Sequence, residues 1–179
     1  MMKGVRADLV IATLALVMST TASLSSLYQT KVIANQLSSS VWPYLSINTS
    51  TTTGSAFALS VTNNGLGPAL VRSASLELDG RTLSRYRDGL ATLVRGIPAK
   101  NAHASASYSS IGSTTVIRPG EKFVTLSYAG KAVGSFSDLG QRYRLTLCYC
   151  SLLGQCWTVR GQDEPAAVAS CSRRSSIDY

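Results

Sequence analysis

The chain has 179 residues, a length that suits one folded domain plus an appendage. Apolar residues make up 45%, enough for a core, while charged residues reach only 15%, against a globular average of about 25%. Ser and Thr fill much of the difference, which points to an exported β protein and away from a cytosolic helical one. With 14 glycines and 5 prolines the chain turns often without being low-complexity.

The net charge is +8. Setting aside Lys3, Arg6, Lys31 and Asp8 near the N-terminus leaves 14 basic and 8 acidic residues (17 less 3, and 9 less 1), or +6. These basic residues are scattered and not interleaved with aromatics, so they do not form a nucleic-acid platform. The nearest thing to a cluster is Arg81, Arg85, Arg87 and Arg95, the candidate contacts for an anionic ligand.

Residues 9–30 carry no charge and follow Lys3 and Arg6. A secretory signal peptide would have this form, with Thr20 and Ala22 as the small pair before cleavage. A membrane helix needs about 20 apolar residues, which residues 9–28 supply in diluted form. No Gly or Pro falls between Gly4 and Pro43, and Leu24, Leu27, Tyr28, Ala34 and Leu37 continue at helical spacing. We therefore read residues 1–40 as an uncleaved transmembrane anchor with a helical stalk, its partner being the lipid bilayer. The Ser and Thr hydroxyls within it can bond back to the helix. The basic residues before the apolar run place the N-terminus in the cytoplasm and the rest outside.

From Val41 the pattern becomes β. Residues 41–47 form an edge strand, since Pro43 cannot donate to a central ladder. Phe57, Leu59 and Val61 share one face of a strand. Asn63-Asn64-Gly65-Leu66-Gly67-Pro68 is a dense turn signal. Residues 69–79 form the next strand, alternating Leu70, Arg72, Ala74, Leu76 and Leu78 against Val71, Ser73, Ser75 and Glu77. Asp79-Gly80 makes a hairpin turn. A short helix capped by Ser84 is expected next, with Leu83, Tyr86, Leu90, Leu93 and Val94 as its apolar stripe. Residues 101–113 read as a mobile loop and 118–121 as a turn. Residues 122–128 form a strand in which Val124, Leu126 and Tyr128 share a face. The last hairpin joins residues 142–151 to 156–160. The expected domain is a mainly β, immunoglobulin-like or fibronectin-like sandwich over 41–162 with one short helix, and 163–179 as a C-terminal tail.

Four cysteines lie near the C-terminus. Pairing Cys150 with Cys156 across the hairpin sets Tyr149 opposite Trp157 and Leu147 opposite Val159. That register makes one face wholly apolar and puts Arg144, Thr146, Cys148, Thr158 and Arg160 on the other with the cysteines. A Cys150–Cys156 disulfide follows, and Cys148–Cys171 as the second, tying back the tail. One residue between Cys148 and Cys150 is wrong for the Cys-x-x-Cys of redox and zinc sites, so we expect no metal or cofactor.

The lone histidine, His103, falls in the polar loop, and no nucleophile elbow, phosphate loop, His-Glu-x-x-His or carboxylate pair occurs. A non-enzymatic chain is expected, with a periplasmic thiol or hydrolytic enzyme the minor alternative. An apolar N-terminal helix, Ser40-Val41-Trp42-Pro43-Tyr44-Leu45 and Val61-Thr62-Asn63-Asn64-Gly65-Leu66-Gly67-Pro68-Ala69 together resemble a group of small bacterial single-pass membrane proteins with an immunoglobulin-like outer domain. The resemblance covers about the first 80 residues and the Cys-Tyr-Cys…Cys-Trp end. It implies a bacterial cytoplasmic-membrane anchor, a periplasmic domain and no catalytic residue. The functional expectation is an interaction module that meets an envelope protein or a second copy of itself, the alternative being a binder of an anionic envelope ligand.

Overall fold

With no Gly or Pro to interrupt it, the N-terminal segment forms one helix, α1 (Met2–Ser40), 39 residues and about 58 Å long. The computed structural model describes residues 2–52, 56–85, 105–129 and 142–172, and for residues 2–6 the backbone alone. The chain divides into two units, Met1–Ser40 and Val41–Tyr179. The segment Ala7–Ser40 is long and apolar enough to cross a membrane, and none of its most apolar window is buried by protein. Its hydroxyls turn inward on their own backbone. Thr13 donates to the carbonyl of Val10, Ser19 to Leu16, Thr21 to Val17 and Met18, Ser23 to Ser19 and Thr30 to Ser26, at 2.9–3.0 Å. Satisfied in this way, the Ser/Thr-rich half of the helix shows apolar surroundings fewer bare polar groups.

The second unit is a sandwich of two antiparallel sheets. Its strands are β1 (Leu45–Thr52), β2 (Ala56–Asn63), β3 (Ala69–Leu78), β4 (Arg81–Leu83), β5 (Ser105–Tyr108), β6 (Val116–Ile117), β7 (Lys122–Ala129), β8 (Tyr143–Cys150), β9 (Cys156–Arg160) and β10 (Ala166–Val168). One sheet runs β1-β2-β7-β5 and the other β10-β9-β8-β3-β4, with β6 paired to the start of β3. Between them lie Leu45, Ile47, Phe57, Leu59, Val61, Leu76, Leu126, Leu145, Leu147 and Tyr149, all 3% exposed or less. Asp79 (φ 51°) and Gly80 (φ 76°) turn β3 into β4, the two positive φ values that a tight hairpin of this hand needs. Between β8 and β9 the register is Leu147↔Val159, Tyr149↔Trp157 and Cys150↔Cys156, the alignment that the alternation of the sequence calls for.

Two strands depart from simple alternation, each at a bulge. In β3 the register shifts between Val71 and Ser73, so Ala69 and Val71 face inward before Arg72, and Ala74, Leu76 and Leu78 after it. In β7 Leu59 pairs Leu126 while Ser60 pairs Val124, leaving Thr125 over. Thr125 is buried and donates to the Leu59 carbonyl at 3.0 Å. Val124 consequently points outward, not with Leu126 and Tyr128 as strict alternation would have it.

The stretch read as a mobile loop is structured where it is described. Ser105–Tyr108 is a strand on β7, and Ile111 is fully buried. Val168 pairs with Cys156, so the C-terminal tail contributes an edge strand. Of the expected short helix, Leu83 belongs to β4, and Ser84 and Arg85 are not helical. Residues 86–95 lie outside the described residues, as does His103.

Asn63, at the end of β2, has no solvent exposure, and its side-chain amide meets four backbone groups. Its Oδ1 accepts from Tyr44 N–H (3.2 Å) and Gly65 N–H (3.0 Å), and its Nδ2 donates to the carbonyls of Gly67 (2.8 Å) and Ile117 (3.0 Å). Changing Asn63→Asp keeps the shape but turns two donations into carboxylate–carbonyl repulsion. We expect a loss of about 3 kcal/mol or more, because buried groups lose partners and a charge is buried. Asn64→Asp, on an exposed side chain, should cost less than about 0.5 kcal/mol. Urea titration of both variants in detergent checks this, and equal midpoints would contradict it.

Candidate functional site

The features that can meet a partner gather at the end of the sandwich where the chain enters. Val41–Tyr44 lies under the Gly65–Pro68 turn, and the two segments approach backbone to backbone. Leu66 and Gly67 N–H both donate to the Trp42 carbonyl (2.9 and 3.2 Å), and Asn64 N–H to that of Tyr44 (2.7 Å). A Cβ on Gly65 would overlap the Trp42 carbonyl oxygen, and one on Gly67 that of Val41. Glycine is required at both by this approach.

With the backbones in contact, side chains are turned out. Trp42 is 40% exposed and Leu66 72%. Val116, paired to Leu70 at the same end of β3, is 49% exposed. Leu152 (60%) and Leu153 (48%) sit in the β8–β9 turn, beside Cys150, which also pairs Leu70. Five large apolar side chains from four segments thus share one end, a grouping typical of interaction surfaces. Sequence reasoning missed it. Leu152-Leu153 inside a two-strand turn was the available signal, because turn residues are polar unless something uses them.

The base of this end is rigid. Tyr149 is fully buried, stacks on Trp157 with ring centres 5.9 Å apart, and its hydroxyl accepts from Leu45 N–H at 3.2 Å, joining β8 to the start of β1. Burial pushes its phenol up to about 12, against the pull of the Leu45 N–H. Burial raises Tyr143 as well.

The cysteines occupy the outer face of the same hairpin. Cys150 is bonded to Cys156 and Cys148 to Cys171. Among the described residues, the one group placed to hold a metal is the sulfurs of Cys150, Cys156 and Cys171, and these are consumed in the disulfides.

The candidate anion cluster is brought together less clearly. Arg81 and Arg85 are exposed around β4, whereas Arg87 and Arg95 lie outside the described residues. Near Arg81, Asp79 makes two bonds to Arg142 (2.6 and 2.8 Å), which hold its carboxyl below the usual range. A separate open cleft of about 660 Å³ lies between β1 and the β8–β9 hairpin, lined by Thr49, Tyr143, Arg144, Arg160 and Gln162. Arg160 is already paired there with Glu77 at 3.0 Å.

No family model, curated protein or solved structure matches the chain.

Tyr149 gives this end a pH signature. An unfolded tyrosine ionises near pH 10, whereas folded Tyr149 keeps its proton to about 12. The stability it contributes is full below pH 10 and is lost as pH rises through about 12, at roughly 1.4 kcal/mol per unit for one tyrosine. Denaturant midpoints should fall over this window, and less steeply in Tyr149→Phe. An unchanged slope in that variant would show that Tyr149 is not responsible.

Proposed function

We propose that the chain is a membrane-anchored, extracytoplasmic interaction module, non-enzymatic, whose apolar end contacts another envelope protein held in the same membrane. The observation that carries this reading is the pairing of an uncovered apolar helix with a disulfide-closed sandwich that exposes Trp42, Leu66, Val116, Leu152 and Leu153 at the end where the chain arrives. Lys3 and Arg6 set the N-terminus in the cytoplasm, and the disulfides belong to an oxidising compartment such as the periplasm. The strand orders support an immunoglobulin-like assignment. With β4, β6 and β10 set aside, seven strands remain, ordered first-second-fifth-fourth on one sheet and third-sixth-seventh on the other.

A protein partner is favoured over lipid by the length of α1. Residues 29–40 add about 18 Å of helix beyond the apolar run. The headgroup layer is only roughly 5–7 Å deep. That length of helix is enough to carry the domain past the headgroups, within reach of a neighbouring envelope protein.

Photo-cross-linking groups placed at positions 66 and 152 of the full chain, in intact cells, test the proposal. Cross-links to one membrane protein are expected, and lipid adducts alone would overturn it. Sequencing the N-terminus of the mature protein tests the anchor, since cleavage after Ala22 with release in alkaline carbonate would remove it. The second reading, an anionic envelope ligand, rests on exposed Arg81 and Arg85 and predicts salt-sensitive retention on an anionic matrix that falls when both become Ala.

A further inference from the structure

The two disulfides on the outer face of the β8–β9 hairpin are neighbours. Cys150 Sγ lies 3.8 Å from Cys171 Sγ, although the two belong to different bonds. The sulfurs of Cys150, Cys156 and Cys171 all lie within 4.8 Å of one another. Exchange between thiol and disulfide requires a thiolate within reach of a disulfide sulfur. Here Cys171, once released from Cys148, lies next to Cys150, and either sulfur released from the Cys150–Cys156 bond lies next to Cys171.

Access is provided on one side. A cavity of about 460 Å³ opens at Cys148, walled by Ser73, Thr146, Thr158, Val168 and Ser170. These side chains are small and carry no charge, so a compact dithiol or an extended thiol-bearing peptide can enter. Cys150, by contrast, is only 6% exposed and is screened from direct attack.

We infer that the four cysteines form a thiol-exchange site for a dithiol reductant, in which Cys171 is handed from Cys148 to Cys150. One thiolate of the dithiol attacks Cys148 Sγ, forms a mixed disulfide and releases Cys171 as thiolate. The second thiolate of the dithiol attacks its own partner sulfur in that mixed bond, leaves as a cyclic disulfide and frees Cys148. The Cys171 thiolate then attacks Cys150 Sγ, forming Cys150–Cys171 and expelling Cys156. In total the dithiol loses two electrons and two protons, and the protein gains two thiols, at Cys148 and Cys156. Attack from outside on partly exposed Cys156 converges on the same product. It releases Cys150, which attacks Cys171 and expels Cys148. The C-terminal segment bearing β10 stays tied in both states, so partial reduction exposes two thiols without freeing the tail.

The chain's four cysteines all belong to this cluster, so the thiols can be mapped without background. The full chain in detergent is treated with one equivalent of dithiothreitol, quenched in acid, alkylated, and its peptides are read by mass spectrometry without further reduction. The expected singly reduced species carries label on Cys148 and Cys156 and a Cys150–Cys171 cross-link, with label on Cys171 several-fold lower than on Cys148. Label confined to the Cys148/Cys171 pair or to the Cys150/Cys156 pair would overturn the inference. Cys148→Ser supplies a second measurement. Cys171 should be found bonded to Cys150 with Cys156 labelled, and an intact Cys150–Cys156 bond beside a labelled Cys171 would contradict the handover.

Discussion

The sandwich depends on a single buried amide. Asn63 closes β2, and its side chain holds the incoming chain at Tyr44, the turn at Gly65 and Gly67, and the end of β6 at Ile117. Its own backbone completes the junction, with N–H donated to the Glu121 carbonyl and carbonyl accepting from Gly120. No apolar residue could do this, because four backbone groups wholly or partly removed from water each need a partner. The two glycines follow from the same demand, since the segments must come close enough for one amide to span them. The exposed apolar end follows in turn. Where main chains touch, there is no room between them for side chains, and Trp42 and Leu66 are directed outward. The feature on which the proposed interaction rests is thus a consequence of how the domain is closed.

The sequence made the fold class legible where period-two alternation was unbroken. Tyr143, Leu145, Leu147 and Tyr149 alternate with polar residues, and a one-residue slip of their pairing with β9 would bury Arg144 or Arg160. The register was therefore readable. It was not readable at Arg72 or Thr125, because a bulge adds one residue locally and nothing in composition marks the place. Ser105–Tyr108 was hidden for another reason. Strand β5 is an edge strand held by main-chain pairing to β7, so Ser and Ala suffice at three of its four positions and Tyr108 alone carries a β signal. The Asn63-Asn64-Gly65 motif was legible as a turn, but not as the clamp it is, since the clamp also reaches Tyr44, 19 residues earlier, and Ile117, 54 residues later.

Placing cysteines on the outer face of one sheet has an effect that a core disulfide would not. A bond through the middle of a sandwich locks sheet to sheet and is shielded from solvent. Here that work is done by Tyr149, whose hydroxyl reaches the start of β1 while its ring stacks on Trp157. The cysteines are left to organise the periphery. Cys148–Cys171, spanning 23 residues, secures the edge strand β10 and contributes about 3 kcal/mol by the loop-entropy account.

Cys150–Cys156 closes the shorter loop, and that loop is the turn presenting Leu152 and Leu153. The thiol-exchange site and the apolar end therefore share a covalent element. While Cys150 and Cys156 are joined, the turn is held from both sides, by the bond and by the Ser151–Gln155 backbone pair at 2.8 Å. Once Cys171 takes Cys150, the turn is left to hydrogen bonds, the backbone pair with Gly154 N–H to the Ser151 carbonyl (3.1 Å) and Gln155 N–H to the Ser151 hydroxyl (3.3 Å), each worth about 1 kcal/mol net. Tyr149 and Trp157, one residue inside the bond, are held by their own stacking and by strand pairing, neither of which involves a cysteine side chain. The change is confined to the part of the surface proposed to meet the partner, and the redox state of the cluster sets how firmly that surface is presented.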